Sequence, residues 1–346
     1  MNYTILKKLP LLEQIIANYP LSFRGQQKIK KDRSEIKNIL AGKDPRLLII
    51  VGPCSAWPKE AVLDYAEKLL ALNEKVKHAL KIVMRVYIQK PRTIKGWMGP
   101  TYQPNPFGAP NVLEGIQYAR DMMIKIVEMG LPIADEALFT QNFKGFLELL
   151  SWVAIGARSA ENPEHRIFAS LIDCPVGMKN PTHGSLAISI NSITSAQAKH
   201  ITFFEGNEIE THGNPYAHLV LRGSYCEPNY SIPHLLEVKK YMNQHAIDNQ
   251  AVIIDASHDN CLMDGKKAYH QQGDIIFKIL KNLKNHSDLQ KLVKGFMIES
   301  FIKEGNQSMH AENINLEGLS ITDPCLGWED TEKLLISLSQ LQISLQ

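Results

Sequence analysis

Arg85, Lys90, Arg92, Arg158, Lys179 and Arg222 each stand at or just beyond the carboxyl end of a short apolar run. Cations gathered in one place repel one another unless an anion shares the site. A phosphate monoester carries about −1.5 to −2 at neutral pH, so two phosphates and a carboxylate come to roughly −5. Six cations match that load, and the arginines add bidentate geometry. Taken singly, any of them reads as a surface ion pair. Taken together, they would have to choose the same end of successive runs independently. Cys54, His258, Glu299 and Asp323 form a second set. No CxxC or HExxH spacing links them. Alone, Cys54 reads as a small buried apolar residue and His258 as a satisfied polar one. Yet three of them end apolar runs, and Asp323 follows the last run in SITDPC. Thiolate, imidazole and carboxylate donors together suit one divalent ion of borderline softness, Mn, Fe, Co or Zn, and no set of oxygen donors speaks for calcium.

The elements that must position these residues follow from the runs themselves: 47–54, 82–88, 132–137, 152–158, 175–179, 218–223, 251–257 and 295–300. Amphipathic stretches such as 61–80 and 112–130 lie between them. Near-continuous apolar strands alternating with helices argue for a parallel sheet covered on both faces. A doubly wound open sheet has the same local signature, but it gathers its ligands at one crevice. Here all eight runs carry a polar residue at the carboxyl end: Cys54, Arg85 with Lys90, Glu136, Arg158, Lys179, Arg222, His258 and Glu299. A closed (β/α)8 TIM barrel brings all eight ends to one mouth. The expected division is a helical, basic amino-terminal extension over 1–46 and a catalytic barrel over 47–346. Residues 91–110, with five prolines and three glycines, predict a long loop over the mouth, and 199–215 predicts a β-hairpin inserted before the sixth strand.

Composition narrows the function classes. A formal net charge of +2 is too balanced for a general nucleic-acid binder. No apolar run approaches the roughly 18 residues of a membrane span, and charges with Pro10 break the amino terminus as a signal peptide. Cys54, Cys174, Cys226, Cys261 and Cys325 show no paired spacing and read as reduced thiols. The expectation is a cytoplasmic protein with no nucleic-acid or membrane partner.

VGPCS (51–55), MRVY with KPRT (84–93), GAR (156–158), HR (165–166), CPVGMKN (174–180), LRG with EPNYS (221–231), SH (257–258), MIES with EGNQ (297–307) and SITDPCLGWEDT (320–331) are long, specific motifs. Together they resemble the class I, bacterial-type 3-deoxy-D-arabino-heptulosonate 7-phosphate synthases, from about residue 10 to the end. The resemblance implies condensation of phosphoenolpyruvate with D-erythrose 4-phosphate and water, the first step of the shikimate pathway to chorismate and the aromatic amino acids. It implies one divalent metal on Cys54, His258, Glu299 and Asp323. Phosphoenolpyruvate would lie among Arg85, Lys90, Glu136, Ala157, Arg158, Lys179 and Arg222, with Arg158 and Lys179 on its phosphate. Lys90, Pro91, Arg92 and Thr93 would hold the aldose phosphate. Cys54, Lys90 and His258 are the expected catalytic residues. Lys90 is the expected proton donor, its pKa lowered by the surrounding cations. A homodimer or homotetramer is expected.

The departures from the family pattern gather at the mouth. Ala56, Trp57 and Pro58 replace Ile-His-Asp, Asp135 replaces a glycine before Glu136, and Pro181 and His183 stand in the usual Asn-Gly-Thr-Asp-Gly. The loop 100–111 keeps little of the family's sequence. These changes leave open a paralogue that uses another aldose phosphate (a modified tetrose phosphate or arabinose 5-phosphate) and a non-catalytic regulatory relative. The effector, Phe, Tyr, Trp or none, is not legible.

Overall fold

The computed structural model describes residues 1–92, 96–140, 145–225 and 227–343. The chain opens with α1 (Leu12–Asn18) and α2 (Phe23–Leu40). Then come β1 (Leu47–Gly52), α3 (Lys59–Val76), β2 (Leu80–Arg85), α4 (Val112–Met129), β3 (Ile133–Glu136) and β4 (Trp152–Ile155). The middle holds α5 (Pro163–Leu171), β5 (Val176–Lys179), α6 (Leu186–Gln197), the hairpin β6 (Ile201–Phe204) and β7 (Asn207–Glu210), then β8 (Ala217–Leu221) and α7 (Ile232–Gln244). The last part holds β9 (Val252–Asp255), a second hairpin of β10 (Leu262–Met263) and β11 (Lys266–Lys267), α8 (Gln272–Leu283), α9 (Ser287–Leu292), β12 (Val293–Glu299) and α10 (Trp328–Ile343).

Eight strands close a parallel barrel in the order β1-β2-β3-β4-β5-β8-β9-β12. β12 returns to β1, with Leu48 opposite Gly295 and Gly52 opposite Glu299. Each of the eight apolar runs supplies one strand, and β6–β7 is the hairpin before the sixth. All the strands but β5 stop before their runs end, so that Cys54, Arg158 and Arg222 lie, with Lys90 and His258, just beyond the strands. Local signals set the helix ends: Asn111 and Asn162 cap α4 and α5, and Ser231 caps α7, each by accepting an N–H of the first turn.

Alternate residues of each strand point inward and outward. The outward set packs under the helices. The inward set (Leu48, Ile50, Val83, Trp152, Ile253 and Met297 among it) joins Ile36, Ile39 and Leu40 of α2 in one cluster. The second helix therefore closes the barrel's amino-terminal end, and each of its three buried side chains contributes roughly 1.5–3 kcal/mol. Lys81 points into the same end and pairs with Asp32 (2.7 Å) and Glu35 (2.8 Å) of α2. Above them, His218 donates through Nδ1 to the Tyr216 carbonyl (2.8 Å) and accepts from Trp152 Nε1 (3.1 Å). Burial pushes its pKa down to about 4, so the ring is neutral. Gly177 makes room for Trp152: a Cβ there would sit 2.1 Å from the indole.

Over the opposite end, Trp57, Trp97 and Ile321 form a small apolar cluster. Trp57 Nε1 donates to the Pro104 carbonyl (3.0 Å) and Trp97 Nε1 to that of Gln103 (2.8 Å), which fastens the 96–110 part of the mouth loop. No helix of the described residues is long and apolar enough to cross a membrane.

Candidate active site

The carboxyl ends of the strands converge on a cavity of about 180 Å³. Cys54, Arg85, Lys90, Pro91, Arg92, Glu136, Ala157, Arg158, Lys179, Arg222, His258, Glu299 and Asp323 all line it. Thr93 lies outside the described residues. Tyr87, Thr182 and Thr322 also line the cavity, and the sequence reading missed them. Local backbone choices make the convergence possible. Gly156 leaves space for Glu136, whose Oε1 would be 2.0 Å from a Cβ at that position. His258 adopts a left-handed conformation (φ 53°), which a non-glycine residue holds only where its surroundings impose it.

The ligand atoms of Cys54, Glu299 and Asp323 lie within 4.8 Å of one another. A divalent ion holds such donors at about 2.0–2.3 Å, so two of them can stand no more than roughly 4.6 Å apart. The trio is within a few tenths of an ångström of that limit, and the donor set fits a borderline ion. His258 is not part of this compact group. Its Nδ1 pairs with Asp255 Oδ2 (2.8 Å), which turns Nε2 toward Glu299 Oε1 at 3.8 Å. A carboxylate behind the far nitrogen is the usual support of a metal-binding imidazole. Gln272 fixes the Glu299 peptide from α8: its Oε1 accepts the Glu299 N–H (2.8 Å), and its Nε2 donates to the Glu299 carbonyl (3.0 Å).

Cations surround these groups. Arg85 donates to Glu299 Oε1 (3.0 Å), and Lys179 to Asp255 Oδ2 (3.1 Å). Arg222 pairs with Asp259, and Lys90 Nζ lies 2.6 Å from the Cys54 carbonyl and 3.1 Å from its Sγ. Lys267, on the β10–β11 hairpin, contacts Glu299 and reaches Asp323 Oδ2 at 3.1 Å. The sequence reading missed this lysine, because it ends no barrel strand. The Arg158 guanidinium has no hydrogen-bond or ion-pair partner among the described residues. Arg85 Nη1 and the Tyr87 hydroxyl are buried without partners there, at the wall of the cavity. Buried donors are rarely left so unless a ligand, an ion or ordered water takes them.

Burial by itself would raise the Glu299 carboxyl, but Lys267, His258, Arg85 and Lys90 hold it well below the usual carboxylate range. Burial, reinforced by Glu299, pushes the Cys54 thiol up, and Lys90 offsets only part of this. Lys90 corrects an expectation. Burial works to lower its pKa, yet Cys54, Asp323 and Glu299 together raise it above the ordinary lysine value. Its Nζ sits on the Cys54 carbonyl and sulfur, with the Glu299 and Asp323 carboxylates near, whereas three of the cations that the sequence placed around it, Arg85, Lys179 and Arg222, are already paired with carboxylates. Asp135, fully buried on β3, is raised well above the carboxylate range by burial and accepts the Ile88 N–H (3.2 Å).

Fold and site together define a (β/α)8-barrel enzyme whose mouth joins a candidate metal centre to a ring of cations. The DAHP synthetase I family model matches residues 24–336, and the chain belongs to that family. The chain is 39% identical over 335 residues to the Tyr-sensitive phospho-2-dehydro-3-deoxyheptonate aldolase of Escherichia coli, covering 95% of this chain and 91% of that protein. It is 38% identical over 330 residues to the Phe-sensitive enzyme of the same organism, covering 94% and 92%. It is 39% identical over 332 residues to the Trp-sensitive enzyme of Enterobacter agglomerans, with the same coverage. Near-equal identity to relatives of three sensitivities assigns no effector. The solved phospho-2-dehydro-3-deoxyheptonate aldolase of Francisella tularensis superposes with a TM-score of 0.92 at 33% identity, over 100% of both chains.

Proposed function

We propose that the barrel condenses phosphoenolpyruvate with D-erythrose 4-phosphate and water, giving 3-deoxy-D-arabino-heptulosonate 7-phosphate and phosphate. This is the step that opens the shikimate pathway. The observation that carries the reading is the convergence of six cations and four metal-ligand types on one small cavity. Arg158, Lys179 and Arg222 take the phosphate of phosphoenolpyruvate, and the free hydrogen-bonding face of Arg85 takes its carboxylate. Lys90, Pro91, Arg92 and Thr93 receive the aldose phosphate and bring its aldehyde beside carbon 3 of phosphoenolpyruvate. When bound on Cys54, His258, Glu299 and Asp323, a divalent ion supplies Lewis acidity toward the aldehyde oxygen. Carbon 3 forms the new bond to the aldehyde carbon, and Lys90 Nζ gives the proton that the oxygen acquires. Water adds at carbon 2 and gives one proton back to Lys90; its second proton leaves with the phosphate as the C–O bond breaks and the ketone forms. The raised pKa keeps Lys90 protonated for this role at neutral pH. Asp255 acts through its neighbours: its carboxylate stands 2.8 Å from His258 Nδ1, and it accepts a hydrogen bond from Lys179.

The barrel over 47–346 is read as the catalytic unit and 1–46 as its extension, in a cytoplasmic homodimer or homotetramer. The exposed Ile201 and Phe203 of the β6–β7 hairpin support assembly, and light scattering tests it. The function is tested by phosphate release from phosphoenolpyruvate with a panel of four- and five-carbon aldose phosphates. Erythrose 4-phosphate is expected to give the highest kcat/KM. A preference for arabinose 5-phosphate or a modified tetrose phosphate would assign the rebuilt mouth loops to another aldose. Chelation should abolish release and added manganese restore it, and full activity in verified metal-free protein would defeat the reading.

A further inference from the structure

The segment from His258 to Lys267 leaves the metal-ligand cluster and returns to it. After the turn at His258–Cys261 the chain runs out along β10, reverses at Asp264 and Gly265 (φ 50° and 72°), and comes back along β11. Leu262 pairs with Lys267, and the Ala268 N–H donates to the Cys261 carbonyl (2.8 Å), which closes the base of the hairpin. Two successive positive-φ residues are the signature of a tight two-residue hairpin turn, so the excursion is built rather than loose. Its last residue sets Lys267 Nζ against Glu299 Oε2 and 3.1 Å from Asp323 Oδ2. The side chains of Lys267 and Glu299 are 13% and 1% exposed, so water does not replace this contact freely.

The ammonium bridges the same two carboxylates that one ion must bridge. Glu299 Oε2 also accepts from Ser257 Oγ (2.9 Å), and Oε1 accepts from Arg85. The lone pairs of Oε2 are thus taken, and the space between Glu299 and Asp323 is filled by a positive charge. A divalent ion placed there would stand beside the ammonium against the buried Glu299 carboxylate, where like charges repel more strongly than in bulk water, although Asp323 on the other side is 52% exposed.

We propose that Lys267 is a tethered cation that closes the metal-free centre, and that a divalent ion binds by displacing its ammonium from Glu299 and Asp323. The exchange breaks only the two N–H···O contacts. The ammonium keeps its protons and swings out with the hairpin. The inference rests on reading Cys54, His258, Glu299 and Asp323 as the metal centre. Affinity for the ion is then lowered by the fraction of molecules in which Lys267 has left. If the closed form exceeds about nine-tenths of the population, that factor is roughly tenfold or more.

The test is manganese binding to the metal-stripped full-length protein, followed by the electron paramagnetic resonance of free manganese. Lys267→Met should bind manganese at least about tenfold more tightly than the parent, whereas Lys267→Arg, which keeps the charge, should stay close to it. Unchanged or weaker binding in Lys267→Met overturns the proposal, the weaker result making Lys267 a partner that stays and orients the carboxylates. Glu299→Gln separates the two levels of the argument. If it leaves manganese affinity unchanged, the metal centre itself is misread and the proposal falls with it. Hydrogen exchange on the parent needs no variant to fold: manganese should speed exchange of the 262–267 amides, and unaltered exchange counts equally against displacement.

Discussion

At the amino-terminal end of the barrel Lys81 meets Asp32 and Glu35, Lys28 completes the group on Asp32 at 2.6 Å, and α2 buries Lys81 and Asp32 while Lys28 and Glu35 stay partly exposed at the edge. At the carboxyl-terminal end Arg85, Lys90, Arg92, Arg158, Lys179, Arg222 and Lys267 face Glu136, Asp255, Asp259, Glu299 and Asp323 around an open cavity. Both ends bury charge. At the floor the hydrogen bonds close on the protein's own groups, and the neutral His218 ring above has both nitrogens engaged. At the mouth positive charge is in excess, Arg158 stands alone among the described residues, and Arg85 Nη1 is buried without a partner there. Charge that is satisfied internally fixes the structure. Charge left in excess is available to a ligand.

The comparison is broken most easily at the floor. Lys81→Met removes one partner of a buried carboxylate group, and such losses cost about 3–5 kcal/mol. Because Lys28 remains on Asp32, the expected loss is at the low end, about 3 kcal/mol in denaturant unfolding. Michaelis constants for both substrates should not move. A floor variant that lost phosphoenolpyruvate affinity while keeping its stability would show that the two ends are not separable in this way.

At the mouth the pattern reverses. Under the proposed assignment, Arg158→Ala and Lys179→Ala each remove a charge-assisted phosphate contact, with an expected loss of about 1.5–3 kcal/mol in phosphoenolpyruvate binding, roughly ten- to a hundredfold. Arg92→Ala should instead raise the Michaelis constant for the aldose phosphate. Initial-rate kinetics with each substrate varied in turn checks the split. The same substrate pattern in all three variants would merge the two phosphate sites that the reading keeps apart.

How much of this was legible in the sequence depended on whether the signal was local. Strands buried on both faces must be apolar throughout, so the eight runs marked the eight barrel strands plainly, and the polar residue at each end marked the mouth. The boundaries ran long, because the residues that turn toward the cavity are as apolar or small as the strand before them: Val86 to Ile88 after β2 is one case. The role of α2 was hidden. Ile36, Ile39 and Leu40 read as an amphipathic face, and nothing in the sequence says that this face closes a barrel. Lys90 was misjudged because spacing along the chain revealed the neighbouring cations but not the thiol 3.1 Å away. Lys267 was missed although Asp264-Gly265 is a hairpin signal that would have folded the chain back toward His258. The carboxylates at Asp255 and Asp259, three residues before His258 and one after it, were a further local signal of a supported imidazole and a matched arginine.

The smallest predicted effect is the sharpest on what the excess charge is for. Arg158 is exposed and unpartnered among the described residues, and it faces other cations across the cavity. Its removal deletes no internal hydrogen bond and relieves some repulsion, which solvent screens. The ligand-free Arg158→Ala protein should therefore match or slightly exceed the parent in stability, by no more than about 0.5 kcal/mol. Ligand reverses the order. At a phosphoenolpyruvate concentration about 100-fold above the parent's Kd, the parent gains about 2.7 kcal/mol by mass action. The variant, with its weaker binding, gains correspondingly less at the same concentration. Thermal unfolding of both proteins with and without phosphoenolpyruvate should therefore show curves that cross in rank. If Arg158→Ala is destabilised by more than 1 kcal/mol without ligand, the guanidinium has a structural partner after all, and the contrast between the two ends of the barrel loses its clearest member.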